Sequence, residues 1–534
     1  MSDSKSLFKS AKLMALGVML SRITGLVREQ VFAVLFGASI AMDAFQIAFR
    51  IPNLLRDLFA EGALSQAFVP EFQKVRLGSG EYRGKRLLSV ATLFLVSVVS
   101  ILSILGAIFA PELVEVYAPS FKQTLFKYEL TVTLTRLLFG FFPFISLAAL
   151  WMAALNATGS FFIPAVASAV FNITSIVTGL IGVWICGRIG MEPILGMAFG
   201  VVLGGAAQAF VQWPALRARG YRLWEKRASD DVIPLRNTQG LSDAARLMVP
   251  GFFGLAATQI NILITSVLAT SFGHGAVSWL SYAFRLMQLP VGLFGVSLGS
   301  ASLAKVSEMR AGKVPALQVR AMISDTLVRS LFLNLSATAG LLGCSQLLIG
   351  VLFQYGAFLE RDSVNTALAL EGYALGLAGY SLVKVLAPTA YALGRVRVTV
   401  VASFCSIFIS LGFSFAFKDS FGFSALAYGT ALGAWINAMV LGFSLREFLD
   451  GSKLLRAVAK NVPAGIAAVL VMHEAQRLTQ GTIHDAKTRV FVFLWVSGLG
   501  VVSLGIVGYL TGVSECRQIV SALRASVRNK FSQK

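Results

Sequence analysis

Five arginines stand inside stretches that are otherwise apolar: Arg22, Arg28, Arg50, Arg56 and Arg285, with Glu29, Asp43, Asp57 and Glu61 close to the first four in sequence. A guanidinium is a flat fork that meets carboxylate or phosphate oxygens two at a time. An Arg at the middle of a membrane span costs about 2.5–3.5 kcal/mol on insertion scales, so a group of them facing lipid is disfavoured. Their excess over the nearby acids points to a water-filled cationic cavity that selects an anion, with a phosphate or diphosphate as the expected ligand. Arg50, Asp57 and Glu61 are seven and eleven residues apart and fall near one helical face. Glu29 is likewise seven from Arg22. These acids either tune the cavity or serve as internal salt-bridge partners, and for Asp57 the salt bridge is the preferred reading. Lys384 reads as a further buried cation, with ligand contact and salt-bridge structure both open.

The elements that hold these groups follow from composition. Of 534 residues 56% are hydrophobic and only 13% charged, and the mean hydropathy is +0.74. That is the balance of a membrane protein with no room for a large soluble domain. Sliding-window reading finds about fourteen runs long enough to cross a bilayer. A fourteen-span chain has both ends on one side.

The net charge of +20 does not form one patch, which argues against nucleic acid as a partner. Basic residues alternate between inter-run segments: Lys74–Arg86, Arg217–Arg236, Arg310–Arg320, Arg395–Arg397, Arg446–Arg456 and the tail from Arg517. In the fourteen-span reading all lie on one side, so the positive-inside rule makes both termini cytoplasmic. The opposite segments are balanced or acidic, as with Glu112, Glu115 and Glu129 against Lys122 and Lys127. Cys186, Cys344, Cys405 and Cys516 lack CxxC spacing, and His274, His473 and His484 are expected in outer loops without ligand spacing, so no metal site is expected. No GxxxxGK[ST] loop is present, which argues against direct ATP drive. No cofactor is expected, and membrane potential or a counter-ion is left as the energy source.

A shift of 235 residues lays Ala48-Phe49-Arg50 on Ala283-Phe284-Arg285 and Val166-Ala167-Ser168 on Val401-Ala402-Ser403. A shift of 233 lays Gly196-x-Ala198-x-Gly200 on Gly429-x-Ala431-x-Gly433. Six spans separate the copies, and an even number keeps orientation, so the repeat is parallel about an axis along the membrane normal. The expected architecture is all-α. An N-lobe fills residues 1–216, a cytoplasmic linker 217–240 and a C-lobe 241–450, each lobe with six helices. Two further helices and a basic tail fill 451–534. Arg50 and Arg285, as repeat equivalents, would face one central space from opposite lobes. Two such lobes around a site form a secondary-transporter architecture.

The run "SRITGLVREQVFAVLFGASIAMDAFQIAFRIPNLLRDLFAEGALSQAFVPEF", with "QIN" at 259–261, "SYAFRLMQLPVGLFGVSLG" at 281–299 and "KVLAPTAYA" at 384–392, closely resembles the MurJ (MviN) family of bacterial lipid II flippases. This family lies within the multidrug/oligosaccharidyl-lipid/polysaccharide exporter superfamily. The resemblance spans essentially the whole chain. It implies a transporter rather than an enzyme, in the bacterial inner membrane, moving the undecaprenyl-diphosphate-linked peptidoglycan precursor from the cytoplasmic to the periplasmic leaflet by alternating access. Lipid II and membrane lipid are the implied partners, and the cell-wall synthesis machinery is compatible with the role. Family-critical arginines fall on Arg22, Arg28, Arg56 and Arg285, other cavity charges on Asp43, Arg50 and Glu61, and the last two helices are implied to form a groove for the polyprenyl tail. Some members carry acids where this chain has Phe284 and Gln288, so its cavity is expected to be more cationic. The alternatives are a flippase for another lipid-linked oligosaccharide, a drug/cation antiporter, which should rely on intramembrane acids, a polyprenyl-phosphate membrane enzyme, which should show paired carboxylates or metal ligands, and a non-transporting scaffold.

Overall fold

The computed structural model describes residues 2–57, 65–222, 259, 262–312, 314–479, 481 and 485–521, and everything described is helix, turn or connection. Two compact units divide the chain, Met1–Val277 and Ser278–Lys534. The division falls later than the 217–240 stretch expected as a linker, most of which lies outside the described residues.

Unit one opens with α1 (Ser2–Phe36), α2 (Ile40–Arg56), α3 (Ser65–Ser79), α4 (Glu81–Ile108) and the short α5 (Ala110–Tyr117). It continues with α6 (Leu125–Phe139), α7 (Phe141–Ala157), α8 (Phe162–Arg188), α9 (Pro193–Phe210), α10 (Trp213–Ala218) and α11, residues 262–270. Unit two holds α12 (Ala276–Pro290, whose first two residues fall in unit one), α13 (Val296–Ala311), α14 (Ala316–Phe353), α15 (Glu360–Leu375), α16 (Leu377–Ala392), α17 (Val396–Phe421), α18 (Ser424–Ser444), α19 (Gly451–Thr479), α20 (Ala486–Thr511) and α21, residues 514–521.

Among the described residues nine helices are long and apolar enough to span a bilayer, or ten if α15 and α16, bent by 43°, form one broken span. Helices α1, α2, α3, α11, α12 and α13 are described besides these. Apolar side chains such as Phe94, Ile181, Trp184, Phe408, Leu494 and Val501 remain exposed along the long helices. That is what a lipid-facing surface requires, because lipid tails give no reason to bury them.

Several helix starts in the two units are separated by nearly the same number of residues. Glu81 and Ala316 open α4 and α14, Leu125 and Glu360 open α6 and α15, and Phe141 and Leu377 open α7 and α16, each pair 235 or 236 residues apart. The glycine words mark close helix pairs within each unit. A Cβ on Gly200 of α9 would lie 2.6 Å from the Gly179 backbone of α8, and one on Gly433 of α18 would lie 2.8 Å from the Ser406 carbonyl of α17. Small residues let these backbones touch without a side chain between them. A π-helical stretch, Val291–Gly295, follows Pro290 of α12. The Pro ring removes one backbone donor and displaces the carbonyl a turn earlier, which favours such widening.

Candidate functional site

In unit one the charged residues are gathered around α2. Arg28, on α1 with its side chain 11% exposed, donates from Nη2 to Glu29 Oε1 at 3.0 Å. Its guanidinium carbon stands 5.0 Å from the centre of the Phe171 ring of α8. Phe171 continues a run of aromatic contacts through Phe141, Phe49, Phe45 and Phe32, with neighbouring ring centres 4.8–5.8 Å apart. The run fixes α1, α2, α7 and α8 beneath the guanidinium, and a desolvated cation over a ring is held by the ring's quadrupole. Glu29 thus pairs with its neighbour Arg28, whereas the sequence spacing had suggested Arg22. Arg22 itself is half-buried on α1.

Arg50 projects from α2 to α11, where its Nη1 donates to Ser266 Oγ at 2.6 Å, and Ser266 Oγ in turn donates to the Ile262 carbonyl. Arg50 also faces Tyr117 at the end of α5. Burial pushes that phenol up to about 12, and the cation of Arg50 pulls the other way. Arg56 turns both Nε and Nη2 onto Asp57 Oδ1, at 3.1 and 2.7 Å. The salt-bridge reading of Asp57 therefore describes its geometry, with the adjacent arginine as partner. Glu61 lies outside the described residues.

Asp43 sits in a closed site. Its side chain is 0% exposed and accepts at Oδ2 from Lys127 Nζ at 2.8 Å and from the Gly275 backbone N–H at 2.7 Å. Lys127 is 3% exposed, lies 4.0 Å from the centre of the Phe121 ring and 3.5 Å from His274 Nδ1. Lys127 was expected in an outer loop, where it would be hydrated. The structure instead places it on the first turn of α6, where Asp43 compensates its charge. No periodicity argument could find this pair, because the partners are 84 residues apart.

In unit two, Arg285 is half-buried on α12. Next to it Phe284 meets Tyr373 edge-on at 5.3 Å, and Gln288 is exposed. Lys384 corrects the sequence reading: its side chain on α16 is exposed rather than buried. The buried face of that helix is carried instead by Ser381, Val385 and Leu386. A second correction is His473, which lies on α19 and not in a loop. Among the described residues no cluster of His, Cys, Asp or Glu could hold a metal ion.

Unit two also contains an apolar groove of about 670 Å³ along α14, α19, α20 and α21, lined by Phe332, Ala339, Met472, Gly500, Leu504 and Ile519 among others. Small residues at Gly340, Ala468 and Gly505 leave room along it.

A family model described as "Lipid II flippase MurJ" matches residues 32–495. The chain belongs to the lipid II flippase MurJ family. A probable lipid II flippase MurJ of Bdellovibrio bacteriovorus is 32% identical over 534 residues, covering 98% of each chain. The lipid II flippase MurJ of Burkholderia cenocepacia is 31% identical over 479 residues, covering 88% of this chain and 90% of its own. Among solved structures, a lipid II flippase MurJ in an inward closed conformation superposes with a TM-score of 0.76 at 24% identity, covering 95% of this chain and 99% of that one. An inward-facing multidrug-resistance MATE transporter of the MOP superfamily gives 0.63 at 16% identity, covering 84% and 98%. At those identities the structural matches speak for the fold. The match to MurJ relatives along nearly the whole chain identifies a multi-pass membrane protein of that family.

Proposed function

We propose that this protein is a lipid II flippase that carries the undecaprenyl-diphosphate-linked peptidoglycan precursor from the cytoplasmic to the periplasmic leaflet of the inner membrane. The observation that carries this reading is the near full-length match to MurJ relatives at 32% identity. The arginines add a chemical reason. In this reading Arg22, Arg28, Arg50, Arg56 and Arg285 hold the diphosphate, since guanidinium forks match its oxygens. The polyprenyl tail stays in lipid or in the apolar groove of unit two. Both termini lie in the cytoplasm, in keeping with the basic segments on their side. Asp43 serves as the fixed counter-charge of Lys127, which leaves Glu61 and the exposed Lys384 as the remaining charges for contact or gating. The protein acts as a transporter without a catalytic group or cofactor. Alternating access of two six-helix lobes is driven by membrane potential or a counter-ion, a charge moved through 100 mV being worth about 2.3 kcal/mol. The cell-wall synthesis machinery is the natural recipient of the product.

The test is leaflet accessibility. Cells depleted of their own flippase are complemented with this protein, and an added enzyme that cleaves only outward-facing lipid II reports transport. Restored cleavage by wild type, and none by stably inserted Arg28→Ala or Arg285→Ala, supports the reading. An inserted wild type that gives no cleavage overturns it.

A further inference from the structure

A second, polar pocket of about 410 Å³ adjoins the apolar groove in unit two. Its cations are Lys453, Arg456 and Lys460 of α19, at spacings of three and four that put them on one helical face. The turn after α20 links the two spaces: Tyr509 and Leu510 line the groove, Gly512 to Glu515 line the pocket, and Cys516 lines the groove again. Along α19, Lys460 precedes the groove residue Ala468 by about 12 Å of helix rise. That is the arrangement of a lipid site, with a polar head on one helical level and a chain on the next.

The pocket's cations are only partly used within the protein. Lys453 pairs with Asp325. Arg456 donates to the carbonyl and hydroxyl oxygens of Ser452, at 3.1 and 3.2 Å, and Lys460 Nζ donates to the Gly512 carbonyl at 3.1 Å. Neither Arg456 nor Lys460 forms an ion pair among the described residues. Arg456 retains guanidinium N–H groups and Lys460 retains ammonium N–H groups for a ligand. The lining acid Glu515 accepts from Ser514 Oγ at 2.7 Å. Three lining cations, Lys453, Arg456 and Lys460, against the single lining acid Glu515 favour an anion.

We propose that this pocket is a loading station for the diphosphate of an isoprenoid lipid whose chain lies in the adjoining groove. The inference rests on the flippase reading and adds a first contact for the substrate head, outside the arginine set assigned to transport. A diphosphate is favoured over a single phosphodiester because its several anionic oxygens can engage Arg456 and Lys460 together. Lys453 then exchanges its carboxylate partner for the ligand.

The experiment is native mass spectrometry of the full chain in detergent with undecaprenyl diphosphate, undecaprenol and phosphatidylglycerol as probes. Wild type should retain the diphosphate about tenfold better than undecaprenol, the scale of a charge-assisted contact. Compared in a background that carries Arg28→Ala and Arg285→Ala, so that the transport arginines do not mask the pocket, the combined variant Lys453→Gln, Arg456→Gln and Lys460→Gln should bring the diphosphate down toward the undecaprenol level, leave undecaprenol binding unchanged and melt like that background. Lys460→Arg, which keeps the charge, should retain the preference. An unchanged preference in the triple variant overturns the proposal, since the head then binds elsewhere. Equal displacement by phosphatidylglycerol also overturns it, because the pocket then takes any anionic lipid. Diphosphate binding requires no transport, so a failed flipping assay with an intact, pocket-dependent preference would count against the flippase reading alone.

Discussion

Lys127 Nζ lies 2.8 Å from Asp43 Oδ2 with both side chains withdrawn from solvent, and the Gly275 N–H meets the same carboxylate oxygen. Two charges taken out of water are tolerated only together, because each alone would keep its desolvation cost without the compensating attraction. The pair ties α2, α6 and the connection ahead of α12 into one closed site.

Removing one partner should therefore be severe. Asp43→Ala or Lys127→Ala is expected to lower stability by about 3–5 kcal/mol, whereas a paired replacement by Leu and Met should recover most of it. Unfolding of the purified protein in detergent, followed by intrinsic fluorescence, checks this. Equal losses in the double and single variants would refute the pairing as the cause.

Arg28 makes a different demand, since its guanidinium carbon stands 5.0 Å from the Phe171 ring centre while its Nη2 donates to Glu29. Lysine keeps the charge but loses the flat stacking surface and the fork. Arg28→Lys should fail to restore lipid II exposure while inserting normally. Phe171→Leu should weaken transport by about tenfold or less, the scale of a partly desolvated cation–π contact. Full activity of Arg28→Lys would show that charge alone suffices.

The glycine contacts make a third prediction. Gly200→Ala and Gly433→Ala each drive a methyl group into a neighbouring helix backbone, and backbone cannot swing aside. Each should cost about 1–3 kcal/mol. Gly412→Ala and Gly498→Ala, with no heavy atom within 4 Å of the added carbon, should be neutral or slightly stabilising. Thermal melting of the four variants separates the two classes.

These cases show which features were legible in the sequence. Hydropathy marked the long helices, because lipid solvation acts on each run separately. The words at Gly196–Gly200 and Gly429–Gly433 marked close helix pairs, because close approach needs small residues in the chain itself. Side-chain partners were harder to read. Glu29 shares a helix with both Arg22 and Arg28, and spacing alone favoured the former while the fold pairs it with the latter. Lys127 was placed with Lys122 and Glu129 in an outer segment, yet Asp43 and Phe121 enclose it. Lys384 failed in the opposite sense: an apolar sequence context made it look buried, but burial is set by which face of α16 other helices cover.

The Arg50–Ser266 contact yields the last prediction. The guanidinium donates at 2.6 Å to a hydroxyl that is itself oriented by the Ile262 carbonyl, so the acceptor is held ready rather than recruited. A hydrogen bond with one charged partner is worth about 1.5–3 kcal/mol, and two groups in direct contact should not contribute additively. Ser266→Ala, Arg50→Gln and the double variant form a cycle whose coupling in unfolding free energy should exceed about 0.5 kcal/mol. If the contact also positions Arg50 for an anionic ligand, Ser266→Ala should reduce lipid II exposure even where expression and melting are close to wild type. Additive losses in the cycle, with normal transport by Ser266→Ala, would leave Ser266 as a bystander to the placing of Arg50.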